Sequence, residues 1–207
     1  METHASNRSS TMNEVMPKKI GWINNNWITN HEIKLSIIDR GVTLSDGIFE
    51  TVLILDNKPQ LLEQHLSRWD ENAKLIGMES PPNKLFLEPL INTALNKLSL
   101  SNGSGVLRLN WSRGDNNNRG INISAKEREE FSHKFWFEIN EYNPNFGAIT
   151  TMISINEQRN ASSLLSQCKT FSYIQSIQAR RESNLAGYND ALLISTNGEM
   201  CCGSTAN

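Results

Sequence analysis

The chain has no apolar run approaching the ~20 residues that a membrane-spanning helix needs, and its mean hydropathy of −0.46 agrees. Neither sign of charge is in excess. Twenty Lys and Arg against 22 Asp and Glu leave −2 over 207 residues. With a sequence pI near 6.1, no basic field points to nucleic acid. Cysteine is scarce too. Cys168, Cys201 and Cys202 are too few for a disulfide framework and suit a reducing, cytoplasmic setting. The first 19 residues, polar and rich in Asn, Ser and Thr, lack the apolar segment of a signal peptide and read as a disordered tail.

What remains has the hydrophobic content of a globular chain and enough length for one large domain or two small ones. Ile20 to Ile28 reads as two short strands around Asn24-Asn25-Asn26, a turn-forming cluster. Alternation at Ile33, Leu35 and Ile37 predicts another strand, broken by Asp39-Arg40-Gly41. Ile48 to Leu55, β-branched and apolar, predicts a central strand. Asp56-Asn57-Lys58 then turns the chain back through Pro59 to Leu61.

Leu62 to Met78 and Leu85 to Leu100 carry helical spacing, separated by Pro81-Pro82. Val106 to Trp111 alternates as a strand with Arg108 and Asn110 on one face. Further strands are expected at Phe135 to Ile139 and Ile149 to Ile155. A helix is expected from Lys169, with Ile174, Ile177, Ala179 and Leu185 as its apolar face and Gly187 as its stop. A hairpin is expected about Asn197-Gly198. Strands first, then helices, then strands around one helix is an α+β order. It divides into a small α+β domain over 20–142 and the start of a larger one over 143–207.

Four runs in order resemble the class IV aminotransferase family of pyridoxal-phosphate enzymes, which includes branched-chain and D-amino-acid aminotransferases and aminodeoxychorismate lyase. They are Asp39-Arg40-Gly41 through Asp46-Gly47-Ile48-Phe49-Glu50, and His65-Leu66-Ser67-Arg68. Ser112-Arg113-Gly114 with Arg119-Gly120 follows. The last runs from Lys169-Thr170-Phe171-Ser172-Tyr173 through Gly187 to Leu193 and on to Asn207. The resemblance implies the two-domain fold type IV. Because the family's chain continues beyond the Asn207 position into a phosphate-binding loop and further helices, it also implies that the C-terminal part of the large domain is missing. It implies pyridoxal 5'-phosphate as cofactor, a small-molecule amino substrate and a homodimer, with no metal.

Carried onto single residues, the resemblance makes Lys169 the Schiff-base lysine and the base that moves the Cα proton. Arg68 becomes the phosphate ligand, because a guanidinium fork matches phosphate; a surface arginine on an amphipathic helix is the plain alternative. Tyr173, one helical turn past Lys169 on the same face, would hydrogen-bond the cofactor's 3′ oxygen or simply pack. His65 reads as structural. Thr205 falls where a hydroxyl lies near the ring in the family, or bonds its own backbone.

Val42 matches a substrate-facing position, and Arg119 meets a substrate carboxylate or is a solvated loop arginine. Cys202 stands where the family has the glutamate that faces the pyridine nitrogen. Glu199, three residues earlier, points to the opposite face of a regular strand and should not replace it. The Arg113 and Arg119 loop, and Cys201-Cys202, look most like aminodeoxychorismate lyase, which forms pyruvate and 4-aminobenzoate for folate. A branched-chain or D-amino-acid aminotransferase stays open beside it. So does a non-catalytic relative serving as a binding or dimerisation module.

Overall fold

The computed structural model describes residues 17–29, 33–115, 120–123 and 132–206. The N-terminal tail up to residue 16, Arg119 and Asn207 lie outside the described residues. The elements before residue 142 are β1 (Lys19–Ile23), β2 (Asn26–Ile28), α1 (Arg40–Leu44), β3 (Gly47–Leu55) and β4 (Lys58–Pro59), then α2 (Leu62–Leu75), α3 (Lys84–Lys97), β5 (Gly105–Ser112) and β6 (Lys134–Glu141). After it come β7 (Thr151–Arg159), α4 (Ile174–Leu185), β8 (Asp190–Ser195) and β9 (Met200–Gly203).

The first six strands form one antiparallel sheet in the order β2-β1-β6-β5-β3-β4. Asn24 and Asn25, at φ 49° and 61°, make the tight turn between β1 and β2, a conformation that asparagine tolerates better than most residues. β3 runs beside β5 from Gly47↔Ser112 to Ile54↔Gly105, so its alternation decides what each face carries. Ile48, Val52 and Ile54 point toward α2 and α3, where Trp69, Ala73, Leu87, Ile91 and Ala94 complete a core from which water is excluded. Truncating one of these large side chains to alanine would cost about 2–5 kcal/mol. The other face presents Phe49, joined by Arg108 and Asn110 from β5 through the pairs Thr51↔Arg108 and Phe49↔Asn110.

The second sheet has the order β7-β8-β9, with β7 and β8 parallel and connected through α4. Opposite Leu192 and Ile194 of β8, β7 moves from Ile153 to Gln158. The extra residues of β7 are held by Glu182 of α4, which accepts hydrogen bonds from Ser154 Oγ at 2.6 Å and Ile155 N at 2.9 Å.

Several sequence expectations change. Residues 33 to 36 form no strand, and Ile37 is exposed. The peptide groups there find no sheet edge, and the chain instead turns into α1, capped by the Asp39 carboxylate on Gly41 N at 2.8 Å. The predicted strand at Ile149 begins later and runs on to Arg159. The helix expected from Lys169 starts at Ile174, and its buried residues are Ser176, Ala179 and Ser183, while Ile174, Ile177 and Leu185 are exposed. The helix thus turns its small side chains, not its larger apolar ones, toward the sheet.

Candidate active site

Lys169 is placed by backbone pairing. β4 covers only the far end of the β3 edge, at Ile54 and Leu55. The near end is taken by the chain around Lys169: Phe49 N donates to Lys169 O at 3.0 Å, Phe171 N donates to Gly47 O at 2.9 Å, and Ile48 pairs with Thr170. Gly47 permits this approach, because a Cβ there would lie 2.3 Å from the Phe171 ring. Lys169 and Tyr173 are therefore not on one helical face. Lys169 lies before the helix, next to the bridge residue Thr170, Tyr173 is the N-cap of α4, and their side chains still converge.

The Lys169 amine donates to the Tyr173 hydroxyl at 3.0 Å and lies 4.5 Å from the centre of the Phe49 ring. The Arg108 guanidinium sits 3.7 Å from the same ring centre. Two cations thus share one aromatic residue, each attracted by its quadrupole. Burial pushes the Arg108 pKa below the usual arginine value, although the Glu138 charge opposes this.

Across the β3 edge, Glu50 is a fully buried carboxylate in line with Ile48 and Val52. Such a charge needs partners. It has Arg68 Nε at 2.7 Å, Arg68 Nη2 at 2.6 Å and His65 Nδ1 at 2.8 Å. Burial alone would raise the Glu50 pKa, but the hydrogen bonds from His65 and Arg68, together with the Arg68 charge, outweigh it and the net shift is downward. Arg68 keeps 39% of its side chain exposed, so its outer edge can meet an anion while its inner edge holds Glu50.

Lys169, Tyr173, Arg68 and Cys202 line one cavity of about 580 Å³, together with Arg159, Glu199, Cys168 and Cys201. Arg159 is tied to the first turn of α4 through Gln175 Oε1 and Ser176 Oγ, both at 2.9 Å. Thr205 lies instead in an adjoining cavity of about 470 Å³ along α4, which also touches Tyr173. Val42 is 54% exposed on α1 and lines neither of these cavities. Arg113, from the third motif, is buried against Asp46 and the carbonyls of Ile76 and Gly77, which makes it a structural brace.

The expected placement of Glu199 on the face opposite Cys202 does not hold. On β9, Cys202 pairs with Leu193, but Met200 pairs with Ile194, which leaves Cys201 as an extra residue in a bulge. Ser195 N donates to Glu199 O at 2.7 Å. One extra residue reverses the alternation beyond it, so Glu199 falls on the Cys202 side and lines the same cavity. Glu50 and Arg108, which the sequence marks only as a motif residue and as one face of a strand, also belong to this region. The signal for Glu50 was an acid inside an apolar central strand, and for Arg108 an arginine on the open face of the neighbouring one.

The model of the family described as amino-transferase class IV matches residues 47–207. The chain belongs to the class IV aminotransferase family. Its members are aminotransferases or lyases that use pyridoxal phosphate. Branched-chain-amino-acid aminotransferase-like protein 2 of Arabidopsis thaliana is 23% identical over 215 residues, which cover 96% of this chain and 37% of that protein. Among solved structures, an aminotransferase from Brucella abortus bound to PLP superposes with a TM-score of 0.78 at 15% identity, covering 91% of this chain and 66% of that one. The 4-amino-4-deoxychorismate lyase of Pseudomonas aeruginosa gives a TM-score of 0.67 at 22% identity, covering 90% and 65%. These likenesses establish the fold type IV. The chain spans between 26% and 63% of the length of the curated relatives it matches. Among the described residues, no helix is long and apolar enough to cross a membrane.

Proposed function

We propose that this chain provides the lysine half of a pyridoxal-phosphate site and acts on a small primary amine that carries a carboxylate. The observation that carries this reading is the Lys169 amine, held by Tyr173 and Phe49 at a cavity that Arg68 and Glu199 also line. That donor set fits the cofactor: an amine for the aldehyde, a guanidinium for the phosphate, a phenol for the ring oxygen, and an acid for the ring nitrogen. When bound, the cofactor supplies an electron sink for the bond broken at the substrate's Cα.

The chain's own residues do the rest. Lys169 Nζ binds the cofactor and then, once displaced, carries the Cα proton. Tyr173 orients that amine through its hydroxyl. Arg108, a desolvated guanidinium beside Lys169 over the Phe49 ring, offers a cation to the substrate carboxylate. Arg68 holds the phosphate from its outer edge while Glu50 and His65 fix its inner one.

Within the family we favour 4-amino-4-deoxychorismate lyase, in the cytoplasm and as a homodimer. The paired Arg-Gly motifs and the Cys201-Cys202 run support it, as does the Pseudomonas lyase of matching fold. A branched-chain aminotransferase is the second reading, favoured by the Arabidopsis relative that aligns over nearly the whole chain.

Borohydride treatment of the cofactor-loaded protein should fix one pyridoxyl group on Lys169, and Lys169→Ala should abolish both labelling and turnover. A parental label or rate in that variant would refute the assignment. Incubation with aminodeoxychorismate should yield 4-aminobenzoate, whereas a keto acid formed from branched-chain amino acids would favour the second reading.

A further inference from the structure

At the position where the family carries a carboxylate against the cofactor's ring nitrogen, this chain has Cys202, a thiol. A thiol is a weak donor and a weak acceptor. The β9 bulge offers another acid. Leu193 and Ser195 of β8 are buried and lie on the same face of the sheet, two residues apart. Cys202 stands opposite Leu193, and Glu199 is bonded through its carbonyl to Ser195 N. Glu199 and Cys202 therefore occupy successive positions on one face. Without the extra residue at Cys201, Glu199 would face away.

Two rises of about 3.3 Å separate these positions along the strand, within reach of a glutamate leaning back across its neighbour. The Glu199 main chain is held as well, because its amide donates to Ser195 Oγ at 3.2 Å. Glu50, also an acid of this region, is committed to Arg68 and His65. Among the described residues, Glu199 is the acidic side chain that lines the cavity.

We infer that Glu199, brought to the cavity face by the Cys201 bulge, supplies the carboxylate that partners the cofactor's ring nitrogen in place of the acid missing at Cys202. The inference rests on the pyridoxal-phosphate reading above. It implies that the bulge and the cysteine go together. The acid is displaced along the strand, the extra residue restores its direction, and the small Cys202 side chain leaves room for it. A glutamate at Cys202 would crowd that space.

The test is a spectral titration of the whole protein with pyridoxal phosphate, comparing Glu199→Gln, Glu199→Asp and Cys202→Ala with the parent. Borohydride labelling of the parent serves as a separate control. Glutamine keeps the shape and loses the charge. We expect Glu199→Gln to weaken cofactor affinity about tenfold, which corresponds to about 1.4 kcal/mol, and to shift the long-wavelength absorption of the bound cofactor. Glu199→Asp should restore part of both effects, and Cys202→Ala should have the smaller effect of the two sites. Glu199 is exposed, so the melting temperature of Glu199→Gln should match the parent and separate this loss from unfolding.

Parental affinity and spectrum in Glu199→Gln would overturn the inference, and so would a loss in Cys202→Ala as large or larger. If the parent is labelled on Lys169 and Glu199→Gln is indistinguishable from it, only the Glu199 inference fails. If the parent takes no cofactor, the functional reading fails and the inference falls with it.

Discussion

Replacing Arg68 by alanine would strip two charge-assisted hydrogen bonds, of 2.7 and 2.6 Å, from a carboxylate that is 0% exposed. Breaking a buried pair by removing one partner costs about 3–5 kcal/mol, because the remaining charge stays buried. Two features of the site favour the low end. His65 still holds one oxygen at 2.8 Å, and Arg68 is itself 39% exposed, so the space it vacates admits water. We expect a loss of about 3 kcal/mol at pH 7, or roughly 6–12 °C in Tm for a chain of this size.

The effect should depend on pH with a definite sign. Burial raises the Glu50 pKa, its partners lower it by more, and the folded value ends below the ordinary 4.5. The stabilisation is therefore complete above pH 4.5 and is lost as pH falls through the lower folded value. In the variant the burial remains without its main compensation, so the carboxyl protonates earlier and the gap to the parent narrows on acidification. Urea unfolding at pH 7 and pH 4.5 measures both. The control is Glu50→Gln, in whose background Arg68→Ala should cost no more than about 1 kcal/mol. A loss below about 1 kcal/mol at pH 7 would refute the reasoning, as would an equal loss in both backgrounds. Below its melting range, Arg68→Ala should also weaken cofactor binding by roughly 1.5–3 kcal/mol, while the cofactor-saturated rate changes less.

Gly47→Ala would drive a methyl group to 2.3 Å from the Phe171 ring and 2.9 Å from the Trp111 carbonyl oxygen. It should cost about 1–3 kcal/mol in thermal unfolding and reduce labelling of Lys169, and a variant with parental melting and labelling would contradict the edge pairing. Arg108→Met, similar in length without the charge, should raise KM for a carboxylate substrate by about tenfold or more, the worth of a charged hydrogen bond. A larger effect on kcat than on KM would move Arg108 from substrate binding to positioning Lys169.

The parts legible in the sequence were those decided by local chemistry. The asparagine turn after β1, the apolar run of β3 and the two helices flanking Pro81-Pro82 each carry their own signal. Motifs single out Lys169, Arg68, Tyr173 and Cys202, and the structure lines one cavity with all four. The rest depended on distant partners. The run at Lys169 looked helical because Ile174 and Ile177 repeat at helical spacing, yet its first residues pair with β3, and α4 buries serine and alanine. Residues 33 to 37 alternate like a strand but meet no edge. The bulge at Cys201 has no compositional mark of its own and follows from how β9 is aligned on β8. One unpaired residue there was enough to invert the reading of Glu199.

The pairing of Lys169 to Phe171 with Gly47 to Phe49 also bears on the order in which the molecule assembles. Lys169 and the strand it borders are joined by a loop that contains most of the chain, and the entropy of closing such a loop has to be met before its contacts return anything. Helices α2 and α3 and the hairpin at Asn24 draw on near neighbours and can form early. The Lys169 segment can dock only after β3 has its place beside β5. The cavity should consequently be among the last features to appear during refolding, and the six-stranded sheet can be native-like while the site is still open.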